Sequence, residues 1–173
     1  MIIKKTLLAI FFSTIFLTGC QTTLANNFMG DLYAPKSTVI ESIDGNFTVT
    51  EVMIAREWNG TIVGNYSVSL KRYTSAGQPD WYRIVSRYEG DSWRFFDSFR
   101  LKTNSGVRTI KDRTNRQLIS ADYLYEELST TIDKNLAEEL IATDALSFQM
   151  GATLMILDME GIIATREFLK DYK

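Results

Sequence analysis

Two stretches of alternating apolar and polar residues, each broken by a turn dipeptide, constrain this chain more than any other feature. "NFTVTEVMI" (46–54) and "TIVGNYSVSL" (61–70) flank Asn59–Gly60, while "DWYRIVSRYE" (80–89) and "SWRFFDSFRLK" (92–102) flank Gly90–Asp91. Successive strand side chains point to opposite faces, so a period of two gives a sheet one face to bury and one to show. Asn-Gly suits a two-residue type I′ turn and Gly-X a type II′ turn. Closing the first hairpin on Asn59–Gly60 sets Met53 opposite Tyr66, Val49 opposite Leu70 and Glu51 opposite Val68. Closing the second on Gly90–Asp91 sets Tyr88 opposite Trp93, Ile84 opposite Asp97 and Tyr82 opposite Phe99 on one face. The other face then pairs Arg87 with Arg94, Arg83 with Ser98 and Trp81 with Arg100. The first of these faces reads as core and the second as cationic with aromatic members.

The remaining segments extend this sheet. "GVRTIKDRTNRQLI" and "DYLYEELSTTI" read as two more strands, and "ALSFQMGATLMIL" as one long strand interrupted at Gly151. Asp133 is placed to cap a short helix, "KNLAEELIAT", with Leu136 and Leu140 on one face. Asp158 is placed to cap a final helix whose Ile162, Phe168, Leu169 and Tyr172 can pack on the sheet. The expected class is α+β: a mostly antiparallel β-sheet with one or two helices, the C-terminal helix packed on the sheet.

The first twenty residues are of another kind. Lys4 and Lys5 precede the apolar run "TLLAIFFSTIFLT" (6–18), which is shorter than the roughly 20 residues that span a bilayer as a helix. A positive start, a short apolar run and small residues at the end have the order of a secretory signal. "LTGC", Leu17 to Cys20, resembles the lipobox of bacterial lipoproteins. That resemblance implies cleavage after Gly19, a diacylglycerol thioether on Cys20, and localisation to the cell outer membrane, since Gln21 rather than an aspartate follows. Each buried methylene contributes about 0.8 kcal/mol, so several acyl chains would hold the protein permanently. The organisation that follows is a signal peptide over 1–19, a lipidated tether over 20–45 with a short strand near "STVIES", and a single domain over 46–173.

Composition then narrows the chemistry. Cys20 is the only cysteine and there is no histidine, so Ser/His/Asp and Cys/His arrangements and zinc sites built on those side chains are excluded. No metal, cofactor or catalytic residue is assigned. General acid–base work would fall to strongly perturbed carboxylates, lysine or tyrosine. Asp97, placed by the pairing on the aromatic face, is the one candidate acid. Adjacent Glu126 and Glu127 fall on opposite faces of a strand and form no dyad.

Charge is segregated along the chain. Residues 83–116 hold nine Lys/Arg against four Asp/Glu, whereas residues 117–173 hold four against eleven. Arginine's planar donor fork suits phosphate and carboxylate, and tryptophan with arginine is enriched at interaction hot spots. Trp81, Arg83, Arg87, Arg94 and Arg100 are therefore the candidate binding residues for an anionic envelope ligand or a partner protein. The alternative for the same residues is a solvated face whose arginines pair with the acidic C-terminal segment. Nucleic acid is not an expected partner of an exported, net-acidic chain. The functional expectation is a lipid-anchored, non-catalytic interaction module of the cell envelope. The rival expectations are a small envelope hydrolase with Asp97 as acid and a structural subunit of an envelope assembly.

Overall fold

A computed structural model describes residues 32–41, 46–57, 64–111, 113–120 and 123–172. Gly19, Cys20, the leader and the Asn59–Gly60 dipeptide lie outside the described residues.

Among the described residues ten strands and two helices follow in order. Strands β1 (Lys36–Ile40), β2 (Phe47–Glu57), β3 (Asn65–Ser75) and β4 (Trp81–Gly90) are succeeded by β5 (Phe99–Thr103), β6 (Gly106–Ile110), β7 (Arg113–Ser120) and β8 (Tyr123–Thr131). Then come helix α1 (Lys134–Ala142), β9 (Ser147–Met150), β10 (Thr153–Ile156) and helix α2 (Met159–Leu169). The strands form a six-stranded sheet in the order β1-β2-β3-β4-β8-β7 and a four-stranded sheet in the order β10-β9-β5-β6, with antiparallel pairing throughout. The α+β class therefore holds, with two sheets where the sequence suggested one.

The inner faces of both sheets and both helices contribute to one apolar core. Val52, Ile54, Val68, Leu70, Ile84, Tyr88 and Leu128 come from the larger sheet, and Phe99, Leu101, Phe148, Met150 and Met155 from the smaller. Ser86 Oγ lies 3.9 Å from Met150 Sδ, which marks where the two inner faces meet. Leu136 and Leu140 of α1 and Ile162 and Leu169 of α2 complete the cluster; burying each such side chain contributes about 1.5–3 kcal/mol. Both predicted caps are present: Asp133 accepts from Leu136 N–H and Asp158 from Gly161 N–H, each at 2.8 Å, with extended cap backbone. Helix α2 lies close on β2 at Gly161, where a Cβ would come within 2.8 Å of the Ile54 carbonyl oxygen.

Three sequence expectations need correction. In the first hairpin, Val52 rather than Val49 faces Leu70, Val49 faces Tyr73, and Met53 faces Ser69. A bulge between Met53 and Ala55 shifts the register of Phe47–Met53 against that of Ala55–Glu57 and exchanges the face that this part of β2 presents. The second hairpin does not form: β4 pairs with β3 and β8, residues 91–98 form no strand, and β5 belongs to the other sheet. "ALSFQMGATLMIL" is not one strand but the hairpin β9–β10, reversed where Gly151 adopts φ +57°. The short strand expected near "STVIES" is present as Lys36–Ile40, which pairs with β2.

Candidate functional site

The outer face of the six-stranded sheet is built from alternate residues: Glu51 and Met53 of β2, Ser69, Lys71 and Tyr73 of β3, Trp81, Arg83, Val85 and Arg87 of β4, and Tyr125, Glu127 and Ser129 of β8. Arg87 sits at its centre. Its Nη1 donates to Glu51 Oε1 at 2.6 Å, and its Nε donates to Glu127 Oε2 at 3.1 Å and to the Tyr125 hydroxyl oxygen at 3.0 Å. Lys71 Nζ lies 3.9 Å from Glu51 and 4.0 Å from Glu127, and the Tyr125 hydroxyl donates to Glu127.

Burial and charge act against each other here. Burial alone would raise the Glu127 carboxyl, but the Tyr125 hydroxyl and the Lys71 and Arg87 cations hold it below its ordinary value. Burial lowers the Lys71 ammonium, and neighbouring Arg87 lowers it further. The like-charge pair on this face is Lys71 opposite Arg83, and Arg87 faces Glu127 rather than Arg94. Arg83 Nη2 donates to the Ser129 carbonyl at 3.3 Å. Its Nε is buried with no hydrogen-bond partner among the described residues, as is the Ser69 hydroxyl.

At one end of this face the rings of Tyr73 and Trp81 stack 3.7 Å apart at 4°, and Phe47 tilts against Tyr73 at 6.1 Å. Trp81 is half-exposed. Its cross-strand neighbour is Tyr73, not Arg100.

Of the five candidate binding residues the structure brings together Trp81, Arg83 and Arg87 and separates the other two. Arg94 lies in the crossing segment 91–98, with Nε 3.2 Å from the Tyr88 hydroxyl. Arg100 is on the other sheet, beside Gln149. Asp97 is also displaced: its side chain is 86% exposed and paired with Arg116 at 3.1 Å. It lacks the apolar surroundings that the hydrolase reading required.

The buried carboxylate is Glu126, 1% exposed. It accepts backbone N–H groups from Arg94 (2.5 Å), Phe95 (3.1 Å) and Phe96 (3.3 Å), and Arg116 Nε at 3.2 Å. Three successive N–H groups converging on one anion form a nest, which turns the chain and leaves Phe95 at φ +54°, uncommon for a bulky residue. This carboxylate is why a strong turn signal at Gly90–Asp91 does not yield a hairpin. Glu127, on the opposite face, serves the Arg87 network, so the two glutamates form no dyad.

A cleft of about 580 Å³ runs between α2 and the β1–β3 side of the larger sheet, floored by Val52, Ala164 and Phe168 and flanked by Arg72 and Lys170. Tyr33 closes one part of its wall by donating to Asp158 at 2.7 Å. No cluster of three or more potential metal ligands occurs among the described residues. Sequence reasoning missed Glu51, Lys71, Tyr73, Tyr125 and Glu126. The signal available was Glu51 itself, whose poor fit beside Val68 marked a wrong register.

Compared with protein-family models, curated proteins and solved structures, the chain matches none.

Proposed function

We propose that this chain is a lipoprotein of the cell envelope, acylated at Cys20, held at the outer membrane, and acting as a non-catalytic interaction module. The anchoring part rests on the "LTGC" box and the leader before it. The interaction part rests on one observation, the half-exposed Trp81 stacked on Tyr73 with Arg83 next on the same face. An aromatic face held rigidly by a stacked neighbour loses little entropy when it meets a partner. Arg83, partly exposed two residues along the same strand, supplies a guanidinium for a carboxylate or phosphate. The fit is an anionic glycan or an acidic protein segment that lays an apolar or ring surface on Trp81. Arg87 is not part of this contact, because two carboxylates already occupy its guanidinium.

The test compares the full chain with Trp81→Ala and Arg83→Glu by crosslinking in intact cells. Both variants should retain far-UV circular dichroism and lose the crosslinked species. An undiminished crosslinking pattern would sink the interaction site. Intact-mass spectrometry showing an unmodified Cys20 would sink the anchor.

A further inference from the structure

The outer face of the smaller sheet is separate from the surface above. The register lays it out as two rows across four strands: Thr109, Arg100, Gln149 and Leu154, then Val107, Lys102, Ser147 and Ile156. The opposite faces of these strands bury Phe99, Leu101, Phe148 and Met155 in the core. Nothing in the fold requires the outward positions to be apolar, yet Val107, Leu154 (53% exposed) and Ile156 (72% exposed) stand in solvent.

The charges on this face are of one sign. No carboxylate occupies any of the eight positions. Arg100 donates only to a neutral amide oxygen, Gln149 Oε1, at 3.4 Å, and Lys102 has no ion-pair or hydrogen-bond partner among the described residues. Described acids beside these strands are engaged elsewhere: Asp97 with Arg116, Asp144 with the Asn104 amide, and Glu139 with Arg108 and the Thr103 hydroxyl. Arg100 and Lys102 share a shallow concavity of about 240 Å³ with Val107, Gln149, Ser147 and Leu154. A second concavity, reached across Arg100 and Gln149 and bordered by the Arg116-paired Asp97, carries the face on to Phe95, which is 62% exposed.

We propose that this face rests on an anionic phospholipid bilayer. Arg100 and Lys102 meet headgroup phosphates in the concavity, and Val107, Leu154, Ile156 and Phe95 reach the level of the acyl carbonyls. Cations whose apolar stems lie among aliphatic side chains suit a membrane surface, because the stem stays with the hydrocarbon and the charge with the phosphate. Each cation near an anionic surface strengthens binding about fivefold. The complementarity is specific to an anionic surface: the uncompensated groups are all cationic and the rest of the face is aliphatic or neutral. The interaction uses side chains of the folded domain and does not require Cys20 to be acylated.

The test places an environment-sensitive fluorophore on Ile156→Cys in the full chain carrying Cys20→Ser. The matched control carries it on Glu138→Cys, on the exposed side of α1. With vesicles of phosphatidylcholine and about one-third phosphatidylglycerol, the emission at position 156 should shift to the blue and that at 138 should not. Neutral phosphatidylcholine vesicles should give little shift, and Arg100→Glu with Lys102→Glu should abolish it. If that double variant fails to fold, Arg100→Gln with Lys102→Gln should reduce the shift. No shift on anionic vesicles, or equal shifts at 156 and 138, would overturn the proposal and leave the face to a protein partner. Neither result bears on Trp81 capture or on the mass of residue 20.

Discussion

The outer faces of the two sheets both carry cations between strands, and they treat them in opposite ways. On the six-stranded sheet Arg87 has a carboxylate on either side and Lys71 lies within 4.0 Å of the same two acids. On the four-stranded sheet, among the described residues, Arg100 has an amide and Lys102 has no hydrogen-bond or ion-pair partner. The arginine count of a segment therefore says little about potential; what decides it is which strands supply the neighbours. The acids that quench Arg87 come from β2 and β8, 36 and 40 residues away, while the neighbours of Arg100 on β6 and β9 are neutral.

The contrast is most easily broken at Glu126, which holds the crossing that carries Arg100 away from Arg87. Glu126→Ala leaves three backbone N–H groups and the Nε of Arg116 without their acceptor, and should cost about 3–5 kcal/mol in urea unfolding, the range for removing one partner of a buried charged cluster. A loss below 1 kcal/mol would mean the crossing holds without it. Next in size, Arg87→Met removes the cation between Glu51 and Glu127 and should cost about 2–3 kcal/mol by the same measurement. A Glu127→Gln and Arg87→Met double-mutant cycle should show clear coupling.

The pH dependence sharpens the same point. Glu127 is held below its ordinary value, so its contribution is fully present above the usual carboxylate range and is lost as pH falls through the depressed folded-state value. Stability of the wild type should fall more steeply below about pH 4 than that of Glu127→Gln; parallel curves would remove the network from the acid response. The smallest effect belongs to the other sheet. Arg100→Ala with Lys102→Ala should change stability by less than about 0.5 kcal/mol, because exposed cations without acids stabilise little. A large loss there would erase the distinction between the faces.

Much of the fold is written locally. The caps Asp133 and Asp158, the buried Leu136 and Leu140, and the alternation in β2, β3 and β4 depend on neighbours within a turn or a pleat, so they are legible in the sequence. Register is legible only where the turn decides it. The Met53/Ala55 bulge offsets the pairs of Phe47–Met53 from those of Ala55–Glu57, and one displaced residue exchanges the two faces. That error set Glu51 beside Val68 instead of beside Lys71. The crossing at 91–98 depends on a carboxylate about 30 residues further on, which no local signal announces. Hence the cationic face read from the sequence mixed residues of two sheets. Trp81 and Arg83 survived because they lie on one strand, where parity alone places them together.

The Glu126 nest also sets an order of assembly. A chain made or exported from its N-terminus presents residues 94–96 well before their acceptor, and β5 before the β9 strand that pairs with it 49 residues later. Until both arrive, Phe99 and Leu101 have no cover. The smaller sheet therefore closes only after β9 and β10 have been made, and the interval before it closes is when a newly made copy is most exposed to sticking to its neighbours.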